Sequence, residues 1–449
     1  MLSVAAGFTL AALYTVSPLA LCSVALALIA VALARRGLAD DEERRVLTTV
    51  LAAALVIRLA AIIGIFLASM PIHDDQFVGS LSGDGAYAMA RALRTRDLLL
   101  GVPANKYDYV VAFDEYGRNT YVTFLTAMQI AFGPAPYGVR FINSVLFIGG
   151  GLLLYRMTRH TLGPAPAMAG LAALLFLPTL FVWSISLLKE SLYFAGSALL
   201  LWGTVAALRA RAWRARLYAG LAGLVGTFVI QDLRSGAIWL AVFGLAAGLA
   251  MRAVTASRRI LAGAALAAIL ACAVLASQPQ VRDRVILALE STAKTHTGHV
   301  FTVGHAYKLL DEGFYVNPQT PAASTLTLTA GQSARYVIRA LLSFAVVPAP
   351  WQLASLRELA YLPEQLLWYT VLGLLPIGAV AGWRRDPLVT CLLLGYAAPT
   401  ACVLALTNGN VGTLLRLRGL VMPYLVWVSA VGFWASLQML ARDRSGAGS

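Results

Sequence analysis

Five charged side chains stand where a strongly apolar chain places charge sparingly. Asp84 lies in Gly83-Asp84-Gly85, just past an apolar run over 47–69. Lys189 and Glu190 adjoin at the start of another run, 188–208. Arg416 and Arg418 close the stretch Asn408–Arg418, where the last run begins. A carboxylate so placed can take the proton of an attacking hydroxyl. An arginine can hold a departing phosphate, because its planar fork donates paired hydrogen bonds to the growing negative charge. Each group also has a plainer reading. Asp84 can cap a surface helix. Lys189 and Glu190 can snorkel to an interface. The arginines can touch the headgroups of ordinary anionic lipids.

The elements that must position these groups are apolar helices. The chain has 449 residues, 59% hydrophobic and 12% charged. Soluble domains carry about 25% charged residues, so most of this surface needs a solvent other than water. Apolar runs fall at about 8–33, 47–69, 137–158, 164–182, 188–208, 217–231, 236–251, 259–277, 364–382, 388–407 and 418–438. The sequence therefore predicts an all-α integral membrane protein, a polytopic helical bundle of about eleven spans. Pro18 is expected to kink the first span, and 217–231 is short enough to be tilted or incomplete. The run 336–349 ends in Pro348-Ala349-Pro350-Trp351 and reads as interfacial or re-entrant. The first run is too long for the apolar part of a signal peptide, and no basic segment precedes it.

Arginine sets the expected orientation. With the N-terminus outside, the inner loops hold seventeen arginines against six acids, out of a net charge of +14. That asymmetry follows the positive-inside rule and accounts for the basic excess without nucleic acid. All four lysines, Lys106, Lys189, Lys294 and Lys308, fall on the outer side. The expected organisation is an N-terminal span and cytoplasmic loop (1–46), a transmembrane core (47–277) with an outer loop at 70–136, a second outer loop with interfacial segments (278–363), and C-terminal spans (364–449). The Ala- and Arg-rich composition suggests a bacterial cytoplasmic membrane, with the chemistry facing outside.

Within the first outer loop, Pro71-Ile72-His73-Asp74-Asp75 leads to a short amphipathic helix from Ala86 onward, and Tyr121–Phe132 reads as a helix lying at the interface. Asp108, Asp114, Glu115 and Arg118 read as solvated loop charges among Tyr107, Tyr109 and Tyr116. Asp232 and Arg234 are expected to close a tight hairpin. Arg58, inside the 47–69 run, must find a partner in the bundle or a wet cavity. His296 and His299 share a metal-compatible spacing, but Gly298 and the neighbouring threonines argue for a loop, and no metal site is expected there or at His305. Phe314–Pro318 and the Pro/Thr-rich stretch to Thr329 read as ordered loop. Cys22, Cys272, Cys391 and Cys402 lie in apolar runs without metal or disulfide spacing.

The order of features is specific. Asp84 and Tyr87 follow an early span. An interfacial helix ends in Phe132-Gly133, and Val139-Arg140-Phe141-Ile142-Asn143 opens the next span. Tyr155-Arg156, Gly163, Leu177-Pro178-Thr179 and Trp183-Ser184-Ile185-Ser186-Leu187-Leu188-Lys189-Glu190 then follow. Over about 47–210 this order resembles the GT-C superfamily of membrane glycosyltransferases, which includes protein mannosyltransferases and lipid A aminoarabinose transferases. Two features depart from the pattern: an additional span precedes the family's first, and Gly-Asp-Gly stands for the usual Asp-Glu pair.

The resemblance implies inverting transfer of a sugar from a polyprenyl phosphate to a glycan, lipid or protein acceptor. Asp84 would be the base and Glu190 the second carboxylate. Lys189, Arg416, Arg418, Arg140 and Tyr87 would bind the donor and its phosphate. No resident cofactor is called for; a divalent cation is left open. The expected partners are the lipid-linked sugar, membrane lipids and the acceptor, not nucleic acid. Three alternatives stand beside this reading. One is a lipid-linked glycan polymerase or ligase using Arg335, Arg339 and His305. Another is a transporter or flippase of lipid-linked intermediates. The last is a non-catalytic membrane subunit.

Overall fold

A computed structural model describes residues 2–38, 40–69, 83–114, 120–231, 233, 236–302, 304–315, 326–352, 359 and 361–446. The described residues form helices and their connections, with no strand among them. The expectations for Pro71–Asp75, Glu115, Tyr116, Arg118, Asp232, Arg234 and Val316–Pro318 lie outside these residues. The chain divides into two compact units, Met1–Ala241 and Val242–Ser449.

The first unit begins with α1 (Leu2–Val16), α2 (Pro18–Arg35) and α3 (Asp41–Ser69). The 8–33 run is thus two helices, not one kinked span. Ser17 takes an extended backbone and its hydroxyl caps the amide of Leu19, so Pro18 starts a new helix. Then come α4 (Gly83–Leu99), α5 (Lys106–Ala112), α6 (Thr120–Phe132) and the long α7 (Pro136–Leu162). Next are α8 (Pro164–Phe176) and α9 (Pro178–Ile185), bent by 61° where they meet. The unit ends in α10 (Glu190–Arg209), α11 (Trp213–Ile230) and the start of α12 (Ala237–Val254).

Helices α3 and α7 run antiparallel and are pinned at both ends. At one end Glu43 receives Nε and Nη2 of Arg159, the latter at 2.6 Å, and the Tyr155 hydroxyl at 2.5 Å. At the other the Ser69 and Tyr137 hydroxyls meet. A helix of this rise separates Glu43 from Ser69 by about 39 Å, enough for a bilayer's hydrocarbon core. Arg156 donates to the carbonyls of Leu33, Ala34 and Arg36, closing the C-terminal end of α2. The arginine-rich ends therefore gather at one pole of the unit, opposite the pole of Ser69 and Tyr137.

Helix α11 is not among the candidate spans. It packs along α10, backbone to backbone. A methyl group at Gly203 would sit 2.7 Å from the Ala219 carbonyl oxygen, and one at Gly226 would fall within 2.8 Å of the Leu200 amide. Small residues allow this approach where lipid offers no hydrophobic drive.

The second unit holds α13 (Arg258–Ser277), α14 (Pro279–Val300), α15 (Ala330–Val346), α16 (Leu362–Arg385), α17 (Pro387–Thr407), α18 (Val411–Arg418) and α19 (Met422–Gly446). Helices α16 and α19 meet at Gly378 and Gly432, where an added methyl would come within 2.3 Å of the Val428 or Leu374 carbonyl oxygen. The last span starts at Met422, not at 418: α18 is a separate short helix that carries Arg416 and Arg418.

Among the described residues eight helices are long and apolar enough to cross a membrane, or up to ten if each bent pair counts as one span. The chain is a polytopic helical membrane protein. The eleventh run expected from the sequence is α11, whose first turn carries Arg214 and Arg216.

Candidate active site

The site in the first unit is built on the break between α9 and α10. Residues Ser186–Lys189 separate α9 from α10. The Lys189 carbonyl accepts the Tyr193 amide as α10 begins, whereas the carbonyls of Ser186 and Leu188 lie outside the helical ladder. Within a membrane protein such carbonyls must be satisfied by other groups. Helix α7 supplies the donors from one face, at i, i+3 and i+4. Arg140 Nη1 donates to Ile185 O at 2.9 Å. Asn143 Nδ2 donates to Ser186 O at 2.8 Å and to Leu188 O at 3.1 Å. Ser144 Oγ donates to Ser184 O at 2.9 Å. The two carbonyls facing the Asn143 amide fix its orientation.

Arg58 supports the same structure from α3. Its Nη2 donates to Leu175 O at 2.8 Å, at the end of α8, and its Nε donates to Ser184 Oγ at 2.7 Å. The guanidinium also lies over Phe147 and Phe181. The partner that its burial demands is thus the broken helix pair itself. Arg140 is equally buried, 0% exposed, with its guanidinium over Tyr137. Its contacts make it a residue that shapes the break.

Glu190 opens α10 immediately after this break. It is 3% exposed, and its Oε2 has no hydrogen-bond partner among the described residues. Burying a carboxylate oxygen without a donor is costly, so a fold that retains it needs a reason. The positive end of α10 and the adjoining Lys189 make the local potential favourable to an anion. Tyr121 of α6 completes the wall. Its hydroxyl accepts from Asn143 at 3.4 Å, and the charges of Glu190 and Arg140 both reach it. Burial raises the Tyr121 phenol well above its ordinary range.

The first turn of α4 brings Asp84 to the same break. Gly85 packs on Leu187: a Cβ built there lies 3.0 Å from the Leu187 carbonyl oxygen and 3.1 Å from its Cβ. Asp84, the preceding residue, is exposed. Helix α4 starts at Gly83, so Asp84 lies inside its first turn. Tyr87 is turned to Asp114, and Arg91 donates to the Asp114 carbonyl. That hydrogen bond to Asp114 raises the Tyr87 phenol. Asp114, expected to be a solvated loop charge, is a strut for α4. Asp108 does likewise with Arg94, at 3.2 Å.

In the second unit His296 and His299 are on a helix, not in a loop, and His305 follows beyond its end. His296 and His299 both belong to α14 and turn their Nδ1 atoms to the carbonyls of Asn408, at 2.5 Å, and Thr407, at 2.8 Å. The expected loop lost to ordinary helix propagation, which a single Gly298 weakens by only about 1 kcal/mol. Gly409 allows this junction, since a Cβ there would sit 2.5 Å from the His296 carbonyl oxygen. The close approach at Asn408-Gly409-Asn410 is therefore to α14. Ala306 pairs antiparallel with Asn410.

Arg418 is 1% exposed. Its Nη1 donates to Gln365 Oε1 at 2.8 Å, its Nη2 to the carbonyls of Phe344 and Val347, and it lies over the rings of Phe344 and Trp368, which meet each other edge to face. These bonds tie α18 to α15 and α16. Arg416 is half-buried on the same short helix. Among the described residues no cluster of three or more His, Cys, Asp or Glu side chains has the geometry to hold a metal ion. No family model matches the chain, and no curated protein or solved structure matches it either.

Proposed function

We propose that the chain is a membrane glycosyltransferase that takes a sugar from a polyprenyl phosphate at the outer face of a cytoplasmic membrane. The observation that carries this reading is Glu190. A buried carboxylate with an unpartnered oxygen stands at the mouth of a broken helix, beside the helix turn that bears Asp84. In this reading the exposed Asp84 takes the proton of the acceptor hydroxyl as the oxygen attacks the sugar's anomeric carbon, and the bond to the lipid phosphate breaks. Glu190 accepts hydrogen bonds from sugar hydroxyls, which supply the donors that its Oε2 lacks. Lys189 and the α10 N-terminus offset the charge on the departing phosphate.

The test uses purified protein with radiolabelled polyprenyl-phosphate sugar and membrane extract. Asp84→Asn is expected to lower transfer by at least a hundredfold with donor binding retained, and Glu190→Gln to weaken donor binding as well. Transfer at wild-type rate in both variants removes the assignment. Solute uptake by wild-type vesicles without transfer favours a transporter instead.

A further inference from the structure

Helix α15 has two faces. Ser333, Tyr336, Ala340 and Phe344 are buried. The opposite face carries Arg335, Ile338, Arg339, Leu342 and Val346, spaced i, i+3, i+4, i+7 and i+11, which is one helical stripe. Ile338 and Leu342 are 58% and 60% exposed, and Val346 is also exposed. This stripe is cationic in its first half and apolar in its second. A shallow cleft opens at the cationic half, lined by Arg335, Arg339, Gln332, Asp311, Leu310 and Phe314.

The charges around the cleft do not balance. Arg339 Nη1 is paired with Asp311 Oδ1 at 3.1 Å, and Lys308 with Glu312 at 2.6 Å. Arg335 makes no hydrogen bond or ion pair with any described residue, so one cation is left over. The cleft is also held in shape from behind. The Tyr315 hydroxyl accepts the amides of Leu309 and Leu310 at 2.8 and 3.0 Å, which fixes the backbone of its apolar wall.

We propose that this cleft binds the phosphate of a lipid, with Arg335 and Arg339 on the phosphate oxygens and the hydrocarbon chain running down Ile338, Leu342 and Val346. Charge complementarity selects an anion, and the apolar continuation of the same stripe selects one carried on a hydrocarbon chain. A free phosphate would leave that half of the stripe uncovered. Arg339 keeps Nε and Nη2 available, since both its bonds to Leu309 O and Asp311 come from Nη1. The assignment does not rest on the transferase reading, because binding is measured without turnover.

The test is titration of the full-length protein in micelles with farnesyl phosphate, farnesol and inorganic phosphate. Farnesyl phosphate is expected to bind at least tenfold more tightly than either of the others. Arg335→Gln is expected to weaken it at least tenfold, and Leu342→Gln to weaken farnesyl phosphate but not inorganic phosphate. Arg284→Gln, an equal loss of charge on exposed α14, is expected to change binding less than twofold. Displacement by equimolar phosphatidylglycerol identifies bulk bilayer lipid as the source of the phosphate, and resistance to it identifies a monoester; the chemistry of the site stands in both cases. Equal affinity for inorganic and farnesyl phosphate overturns the proposal. So does unchanged affinity in Arg335→Gln, or an equal loss in Arg284→Gln.

Discussion

Gly85 rests on Leu187, and that contact sets the start of α4 against the gap between α9 and α10. A Cβ built at position 85 is 3.1 Å from that of Leu187, slightly inside the spacing that a disulfide spans. Cysteines at both positions, Gly85→Cys with Leu187→Cys, are therefore expected to cross-link under mild oxidation in the native protein. Mass spectrometry of the joined peptides reads the result. If neither joins while the protein remains folded, Asp84 does not sit at this break. The same crowding makes Gly85→Val push α4 outward. Transfer is expected to fall at least tenfold, with the unfolding midpoint lowered by no more than a few degrees.

Asn143 joins the two sides of the break by donating to both Ser186 and Leu188. Asn143→Leu keeps the volume but leaves both carbonyls without these donors in a buried place. An unsatisfied buried group costs about 1–3 kcal/mol, while hydrogen bonds between membrane helices average nearer 0.6 kcal/mol. The expected loss is therefore about 1–3 kcal/mol, and Asn143→Gln is expected to recover little because its amide lies one methylene too far. Denaturant unfolding in micelles measures this. A loss below about 0.3 kcal/mol in Asn143→Leu would show that the break is held by something else.

Spans were legible because a helix in lipid needs a long, predominantly apolar stretch, and 47–69, 137–158, 364–382 and 388–407 have one. The Pro18 break was half legible: proline announced a perturbation, but whether the chain kinks or restarts depends on Ser17 taking an extended backbone, which is local energy below the resolution of composition. Arg58 announced itself as a charged group inside an apolar run, while Arg140 pointed to the lipid-linked donor and Asn143 entered only as part of the order of features. Their partners did not announce themselves, since carbonyls freed by a helix break carry no side-chain signature. Arg418 illustrates the other limit. Its outer position pointed to an anion, yet backbone carbonyls and two aromatic rings supply the negative potential instead. The α15 cleft was overlooked as a unit because Leu310, Asp311 and Phe314 lie some twenty residues before α15 in sequence, and nothing in a pattern ties them to Arg335.

The Glu43–Arg159 pair closes the opposite pole of the first unit, with Nε and Nη2 of one guanidinium on the two carboxylate oxygens. Arginine presents this fork and lysine does not. Glu43→Ala and Arg159→Ala are expected to destabilise the fold non-additively, with a coupling of about 0.5–3 kcal/mol in a double-mutant cycle. Tyr155→Phe is expected to weaken that coupling, because its hydroxyl shares the Glu43 oxygen at 2.5 Å. Purely additive losses would reduce the contact to a surface pair of little worth.

Arg416 and Arg418 lie two residues apart on one short helix, and their unequal burial predicts unequal losses of stability. The Arg418 guanidinium is bonded to Gln365 and two backbone carbonyls and lies against the rings of Phe344 and Trp368. Hydrogen bonds to a charged group contribute about 1.5–3 kcal/mol each, and a desolvated cation–π contact about 2 kcal/mol. Arg418→Ala loses all of these and leaves the carbonyls of Phe344 and Val347 without this donor, so it is expected to lower stability by several kcal/mol. Arg418→Lys is expected to recover less than half, because a point charge cannot reach the three acceptors together. Arg416→Ala, at a half-buried position, is expected to cost less stability than Arg418→Ala. Thermal unfolding of the four proteins in one detergent decides between these outcomes. A lysine at 418 that unfolds with arginine would mean that charge alone, rather than the planar fork, secures α18 to α15 and α16.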